Sequence, residues 1–404
     1  MIQLGKKTTP RRFSLLRCIV AAFLAIIVLT SCRSTADRVA SNPELFRSSM
    51  LQRRMSPDTE ARRVRRIMRE MTLHQKIGQR FICWIEGEEL GAQAAELVRQ
   101  GAAGVILYPW NVKDPEQVRK LTASLQKAAR AGDPPIGFFI SVDQEGGRVA
   151  AFRFRETTKL APAFYWSRYE DLRFATAAAY IAGREIRDLG CNMNFAPVLD
   201  LYATADSTII GDRSMGSDPE QVGKLGIAYL QGARQAEIIP VIKHFPGHGS
   251  STTDSHGRLP VVDLPKDQLL ARDFLPFRTA VQAGAEVLMT AHVLYPQIDP
   301  EYPATLSKRI LRDLLRERFG FEGVIVSDGM AMGALAENFT VSDSLKCMIE
   351  AGLDLILVHS RYNLVDLKLE VLRLLYRGEI TEAQIDEGVE RILALKLRYG
   401  LLPY

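Results

Sequence analysis

The chain is 404 residues long, and its 52 Lys and Arg against 47 Asp and Glu give a formal charge of +5. With 47% hydrophobic and 25% charged residues it has the make-up of an ordinary globular protein, which excludes a wholly disordered chain, a collagen-like rod and a polytopic membrane protein. Its five cysteines include no Cys-x-x-Cys pair, so a disulfide scaffold and a zinc ribbon are excluded too, while the length allows one large barrel with extensions or two to three ordinary domains.

Lys6, Lys7, Arg11, Arg12 and Arg17 precede an apolar run from Cys18 to Leu29 that stops at Thr30-Ser31-Cys32. A basic stretch before a short apolar run has the form of an export signal. The run of 12 residues is shorter than the ~20 that span a bilayer, so a retained transmembrane anchor is the weaker reading. Residues 1–31 hold five basic side chains and no acid, and their removal brings the formal charge to zero. Leu29-Thr30-Ser31-Cys32 resembles the lipobox of bacterial lipoproteins. That implies lipidation at Cys32, an anchored envelope protein and, with Arg33 rather than Asp after it, a lean toward the outer membrane; the alternative is an ordinary cleaved signal with an incidental cysteine. Cys83, Cys191 and Cys347 then remain, an odd number that reads as buried free thiols.

Residues 32–56 read as a polar tether, and 57–404 as the folded domain. Ser56-Pro57-Asp58 has the cap, first-turn proline and acid of a helix start, followed by Val64, Ile67, Met68 and Met71 at helical spacing. The opposite face carries Arg62, Arg63, Arg65, Arg66 and Arg69, which a solvated surface explains more simply than contact with anionic headgroups. Thr72 and Gln75 have capping-box spacing, so a second helix begins there.

Short apolar runs then recur at 81–85, 104–108, 136–142, 192–199, 240–244, 287–292, 324–327 and 355–359. Their nearly continuous apolar character predicts parallel strands buried on both faces. Amphipathic stretches at 116–129, 172–189, 219–236, 269–283, 307–318 and 381–399 read as the intervening helices. Eight strands alternating with helices predict an α/β fold of the (β/α)8 TIM type, and the lack of a Gly-rich dinucleotide fingerprint after the first strand weakens an open sheet.

In such barrels the reactive groups sit at the C-terminal strand ends. Here the third run ends in Asp143-Gln144-Glu145-Gly146-Gly147-Arg148, the fourth in Asp200, the fifth in Lys243-His244, the sixth in His292, the seventh in Asp328 and the eighth in His359. So many ionisable groups brought together require mutual pairing or a ligand. The loop after the fifth run, KHFPGHG at 243–249 and then Asp254-Ser255-His256, is rich in Gly, Ser and Thr and belongs to neither helix nor strand. An Asp two residues before a His can hold one ring nitrogen and poise the other to donate a proton. A solvated loop with an incidental histidine is the plainer alternative.

KHFPGHG with DSH, VDQEGGRV at 142–149, NMNFAPVLDL at 192–201, GDRSM at 211–215 and VSDGMAM at 326–332 together resemble the family 3 glycoside hydrolases, and within them the β-N-acetylglucosaminidases whose acid/base is an Asp-His pair. The resemblance runs in order from Met71 to the C-terminus. It implies that Asp328 is the nucleophile of a retaining mechanism, that His256 is the general acid/base oriented by Asp254, and that Asp143, Arg213, Lys243 and His244 hold the sugar. Arg148 belongs to the same string without an assignable role. One departure is Ala151, where relatives often carry arginine; Arg153 is a possible substitute. The implied substrate is a terminal β-linked N-acetylglucosamine on a glycan or muropeptide, and the chemistry calls for no metal, cofactor or nucleic acid. Transfer of the sugar to phosphate is compatible with a histidine acid, which adds no negative charge. Two other classes stay open: a metal-dependent hydrolase using His244, His248, His256, His292 and Asp328, and a non-catalytic glycan-binding lipoprotein.

Overall fold

The structure, a computed structural model, describes residues 55–169, 171–202, 209–251 and 259–403. The expected signal segment, Cys32, almost all of the tether, and Asp254 and His256 lie outside the described residues.

The sheet contains β1 (Phe81–Trp84), β2 (Gly104–Ile106), β3 (Phe139–Val142), β6 (Met193–Asn194), β7 (Ile239–Pro240), β8 (Ile242–Phe245), β9 (Val287–Thr290), β10 (Val324–Gly329) and β11 (Leu355–Val358). A small antiparallel hairpin, β4 (Gln144–Gly146) and β5 (Val149–Ala150), stands apart. The pairing order is β7-β6-β3-β2-β1-β11-β10-β9-β8, and every pair in it is parallel. The two ends of that order, β7 and β8, flank Val241 in one run of chain, so the sheet closes on itself. Eight runs in cyclic sequence order make the expected (β/α)8 barrel.

Two apolar clusters follow from the period-2 alternation of side chains. Ile82, Ile106, Phe139, Met193, Val241, Met289, Val326 and Leu357 fill the barrel interior, while a larger cluster packs the outer faces of the strands against the helices. Each interior side chain taken fully out of water contributes ~1.5–3 kcal/mol, so these positions fix which residues point inward. Two residues beyond Ile82, Ile106, Val241, Val326 and Leu357 come Trp84, Tyr108, Lys243, Asp328 and His359. Alternation therefore sets the last layer of the barrel, and it is this layer that carries chemistry.

The first helix spans Pro57–Glu70, with the Ser56 hydroxyl accepting the Thr59 N–H. It buries Val64, Ile67 and Met71, while Arg62, Arg65, Arg66 and Arg69 are exposed. The capping box at Thr72 is complete: Thr72 N–H donates to Gln75 Oε1 at 2.8 Å, and the Thr72 hydroxyl accepts Gln75 N–H at 3.3 Å.

Several expected elements have different limits. The run 136–142 pairs as a strand only from Phe139, because Gly137 N–H donates to the Leu401 carbonyl and Phe138 N–H to Gln126 instead of to a neighbouring strand. The run 192–199 is regular only at Met193–Asn194; Pro197 has no N–H for a ladder, and pairing resumes as an isolated bridge from Val198 to Lys243. The helix expected at 269–283 is two, Lys266–Ala271 and Leu275–Gln282, with Pro276 in the first turn of the second, where a missing N–H costs nothing. Helices Ala92–Arg99, Val341–Glu350 and Leu364–Tyr376 complete the outer ring.

Candidate active site

The four residues expected to hold the sugar, Asp143, Lys243, Arg213 and His244, are joined through Glu145 and Asp200 into one connected chain of polar contacts. Lys243, inward on β8, places Nζ 2.6 Å from Asp143 Oδ1 and 2.6 Å from Glu145 Oε1. Glu145 in turn accepts both arms of Arg213, each at 2.8 Å. Arg213 lies 3.5 Å from Nε2 of His244, whose Nδ1 meets Asp200 Oδ2 at 2.6 Å. Asp200 is acceptor-only when ionised, so the ring proton of His244 sits on Nδ1 and Nε2 faces Arg213. Asp200 also accepts the backbone N–H of His244 and of His248.

The electrostatics follow from these contacts. Burial alone would raise the Glu145 carboxyl, but Lys243 and Arg213 outweigh it and hold its pKa at about 2. Burial likewise opposes ionisation of Asp200, and His244 with the His248 N–H turns the balance toward the carboxylate. Lys243 is disfavoured by burial and restored by Asp143 and Glu145, ending above its ordinary value. Alternating signs make this burial tolerable, and removing one member would expose its neighbours' desolvation cost.

Asp328 stands at the end of β10, partly exposed, with Oδ1 accepting the Gly329 N–H at 2.7 Å. Burial would raise its carboxyl, but His244, then His292 and the Gly329 N–H, draw it below the usual carboxylate range. At neutral pH it is thus an ionised carboxylate at the open end of the barrel, the position where the resemblance expects the nucleophile. His292, beyond β9, is fully buried, with Nε2 3.0 Å from the Gly329 carbonyl and Nδ1 2.8 Å from the Thr305 hydroxyl. It braces the turn that carries Asp328, and burial lowers its pKa.

Residues that sequence reasoning had not placed become intelligible. Glu145 is the fastener between Lys243 and Arg213, and Asp200 orients His244. Arg148 donates to the Ile209 carbonyl at 2.8 Å and pairs with Asp212 at 3.2 Å, tying the hairpin to the turn Gly211–Arg213. Arg153, offered above in place of an arginine at Ala151, is exposed and donates to the carbonyls of Ala150 and Arg148. The hairpin itself was not foreseen. Its turn needs glycine, since Gly146 and Gly147 have φ of 103° and 56° and a Cβ on Gly147 would come within 2.4 Å of Pro162.

Asp254 and His256 lie outside the described residues, but both ends of their loop are fixed. On one side Gly247 N–H donates to His244 at 2.8 Å and the Tyr295 hydroxyl to the Gly247 carbonyl at 2.6 Å. On the other, Val261 bridges to Leu294: Val262 N–H donates to the Leu294 carbonyl and Leu294 N–H to the Pro260 carbonyl, each at 2.9 Å. At Gly249 a Cβ would lie 1.9 Å from the Leu201 carbonyl, so any larger residue must displace the root of the loop. Gly249→Ala should therefore lower kcat by ~100-fold, the scale expected from ångström-level misplacement, with little change in KM. An unchanged kcat would show that this root does not set the loop's position.

Among the described residues, no group of three or more His, Cys, Asp or Glu is placed to hold a metal ion. His244 and His292 are committed to Asp200, Thr305 and Gly329. A cavity of about 800 Å³ at the N-terminal end of the barrel is lined by charged groups that pair with one another, as Arg398 does with Glu60 and Arg391 with Glu387. No strand delivers a reactive group there, so it reads as structural.

The model of the glycosyl hydrolase family 3 N-terminal domain matches residues 72–395. A beta-hexosaminidase of Xanthomonas campestris pv. campestris (strain B100) is 39% identical over 282 residues, covering 68% of this chain and 82% of the relative. Beta-hexosaminidase A of Pseudoalteromonas piscicida is 32% identical over 333 residues, covering 76% of this chain, which spans 56% of that longer protein. In structure the chain is similar to a glycoside hydrolase family 3 beta-N-acetylglucosaminidase from Paenibacillus sp. str. FPU-7, with a TM-score of 0.79 and 37% identity over 82% of this chain and 63% of that one.

Proposed function

The chain belongs to glycosyl hydrolase family 3, and from that premise we propose that it is a retaining exo-β-N-acetylglucosaminidase acting on terminal N-acetylglucosamine of glycans or cell-wall fragments. The observation that carries the reading is the chain of buried ion pairs and hydrogen bonds from Asp143 to Asp200, which would present fixed donors and acceptors to a polyol beside the ionised Asp328. In the reaction Asp328 attacks the anomeric carbon as the glycosidic oxygen leaves, giving a covalent glycosyl-enzyme, and water then releases the sugar with its configuration retained. His256, oriented by Asp254, would protonate the leaving oxygen and then deprotonate the water. The hydrogen bonds of Asp143, Lys243, Arg213 and His244 to sugar hydroxyls strengthen as positive charge develops on the ring.

The similarity to named beta-hexosaminidases supports the substrate class. The test is hydrolysis of an aryl N-acetyl-β-glucosaminide followed by proton NMR. The β-anomer should form first, at a rate and with a product unaffected by phosphate. Initial α-anomer would exclude retention, and sugar 1-phosphate formed in phosphate buffer would establish the phosphorylase instead.

Export and anchoring through Cys32 to the envelope, with the domain held off the membrane by residues 33–56, completes the proposal. The basic, apolar and small-residue order of residues 1–32 supports it.

A further inference from the structure

The last layer of the barrel is divided. Asp143, Lys243 and Asp328 belong to an arc of charged groups, but the strand ends between β3 and β10, those of β2, β1 and β11, carry Tyr108, Trp84 and His359. Register sets Trp84 beside His359, since Cys83 pairs with Val358, and level with Ile106, two residues before Tyr108. The rings are in contact, with His359 5.3 Å from Tyr108 edge-on and 6.5 Å from Trp84 in a stacked arrangement. Tyr108 lies in the same inward layer as the charged arc, two residues beyond the interior Ile106, and burial, then Asp143 and Asp328, push its phenol upward.

Trp110 extends this wall outward. It lies on the turn Pro109–Asn111 just beyond Tyr108 and stacks on it at 4.4 Å with ring planes 22° apart. The turn is rigid because Asn111, fully buried, donates to the carbonyls of Ile85 at 3.0 Å and Gly87 at 2.7 Å and accepts the Tyr108 N–H at 2.9 Å. Despite this anchoring the Trp110 ring is 50% exposed. A large apolar ring held out in water beside a polar cleft, its inner face covered and its rotamer restricted, is preorganised to bind something flat and apolar.

We infer that Trp110, backed by Tyr108 and His359, is the platform for the sugar ring on the leaving-group side of the scissile bond. This rests on the glycosidase reading above. A pyranose with equatorial substituents presents a face of axial C–H groups, which carry slight positive charge and match the negative face of an indole. The ring being cleaved off occupies the level of Asp143, Lys243 and Asp328, and the next ring lies one step farther from the barrel, at the level of Trp110. The occupant is therefore a second sugar of the chain, and Trp110 sets preference for oligosaccharides over glycosides with small leaving groups.

The experiment compares wild type, Trp110→Ala and Trp110→Phe on the chitin trisaccharide and on N-acetyl-β-glucosaminyl fluoride, whose leaving group has no ring. Trp110→Ala should lose ~10-fold in kcat/KM on the trisaccharide, mostly through KM, and stay within about twofold on the fluoride; Trp110→Phe should recover most of the loss. Equal losses on both substrates, or none on either, would overturn the platform. Titration of tryptophan fluorescence with the trisaccharide reads the platform without turnover, Trp84 still reporting in the variants: Kd should rise ~10-fold in Trp110→Ala and stay near wild type in Trp110→Phe, and an unchanged Kd in Trp110→Ala would overturn the assignment. Wild type that binds the trisaccharide but cleaves neither substrate would overturn the glycosidase reading alone.

Discussion

Asp328→Ala should lower kcat on an aryl N-acetyl-β-glucosaminide by ~10⁴-fold or more while leaving the thermal midpoint within a few degrees of wild type. The separation of the two effects follows from where Asp328 sits. Its carboxylate accepts the N–H of Gly329, yet it is not the counterion that Lys243 depends on, because Lys243 keeps Asp143 and Glu145 at 2.6 Å each. Removing Asp328 therefore strands no buried cation, and the loss is chemical. The same carboxyl is drawn below the usual range despite its burial, by His244 first and by His292 and the Gly329 N–H after it. The acid limb of kcat/KM set by this group accordingly falls below the ordinary carboxylate pKa of ~3.9. His256→Ala provides the contrast. An aryl leaving group needs little protonation, so this variant should lose far less on the aryl glycoside than on a disaccharide. Wild-type turnover by Asp328→Ala, measured with a melting curve to verify the fold, would remove Asp328 from the mechanism.

The barrel was legible because its signal is local and repeated. A run such as Val324-Ile325-Val326 can only be a buried strand, and the period-2 rule then places Asp328 at the open end. What stayed hidden depends on partners distant in sequence. Phe138 looks like strand, yet Gln126 and the C-terminal segment claim the backbone around it. Glu145 read as one letter of a Gly-rich string, and its role appears only when Lys243 and Arg213, 98 and 68 residues away, close on it. Trp84 and Tyr108 read only as members of apolar runs and His359 only as one of the ionisable strand ends, because cyclic closure of the sheet, which sequence periodicity does not encode, is what makes them one wall. Arg153, two residues past Ala151, turns back onto the carbonyls of Ala150 and Arg148, contacts that spacing alone does not encode.

Glu145→Gln should destabilise the fold by ~3 kcal/mol at pH 7, because a buried cation left without its counterion forfeits more than the pair contributed. Arg213 is the residue most affected. It loses both 2.8 Å bonds to a carboxylate, whereas Lys243 retains Asp143. The pH dependence gives an independent check with a fixed sign. Glu145 titrates at about 2 in the folded chain and at ~4.3 when unfolded, so the unfolded state binds the proton first as pH falls. Its stabilisation is complete above the unfolded value and is lost as pH drops through about 4 toward 2. The downward shift has the same sign as the penalty expected from the stranded cation, since both arise from Lys243 and Arg213 holding Glu145 ionised. Urea unfolding across that window should show wild type losing stability with a slope about one proton steeper than Glu145→Gln. Parallel slopes would mean that Lys243 and Arg213 do not hold Glu145 ionised. Activity should fall along with stability, by ~100-fold, even at a temperature where the variant is fully folded, since Arg213 and through it His244 are positioned by this carboxylate. On the proposed reading, a site for a neutral sugar depends on buried charge for rigidity: alternating ions fix the donors and acceptors in place, and the sugar would meet them already oriented.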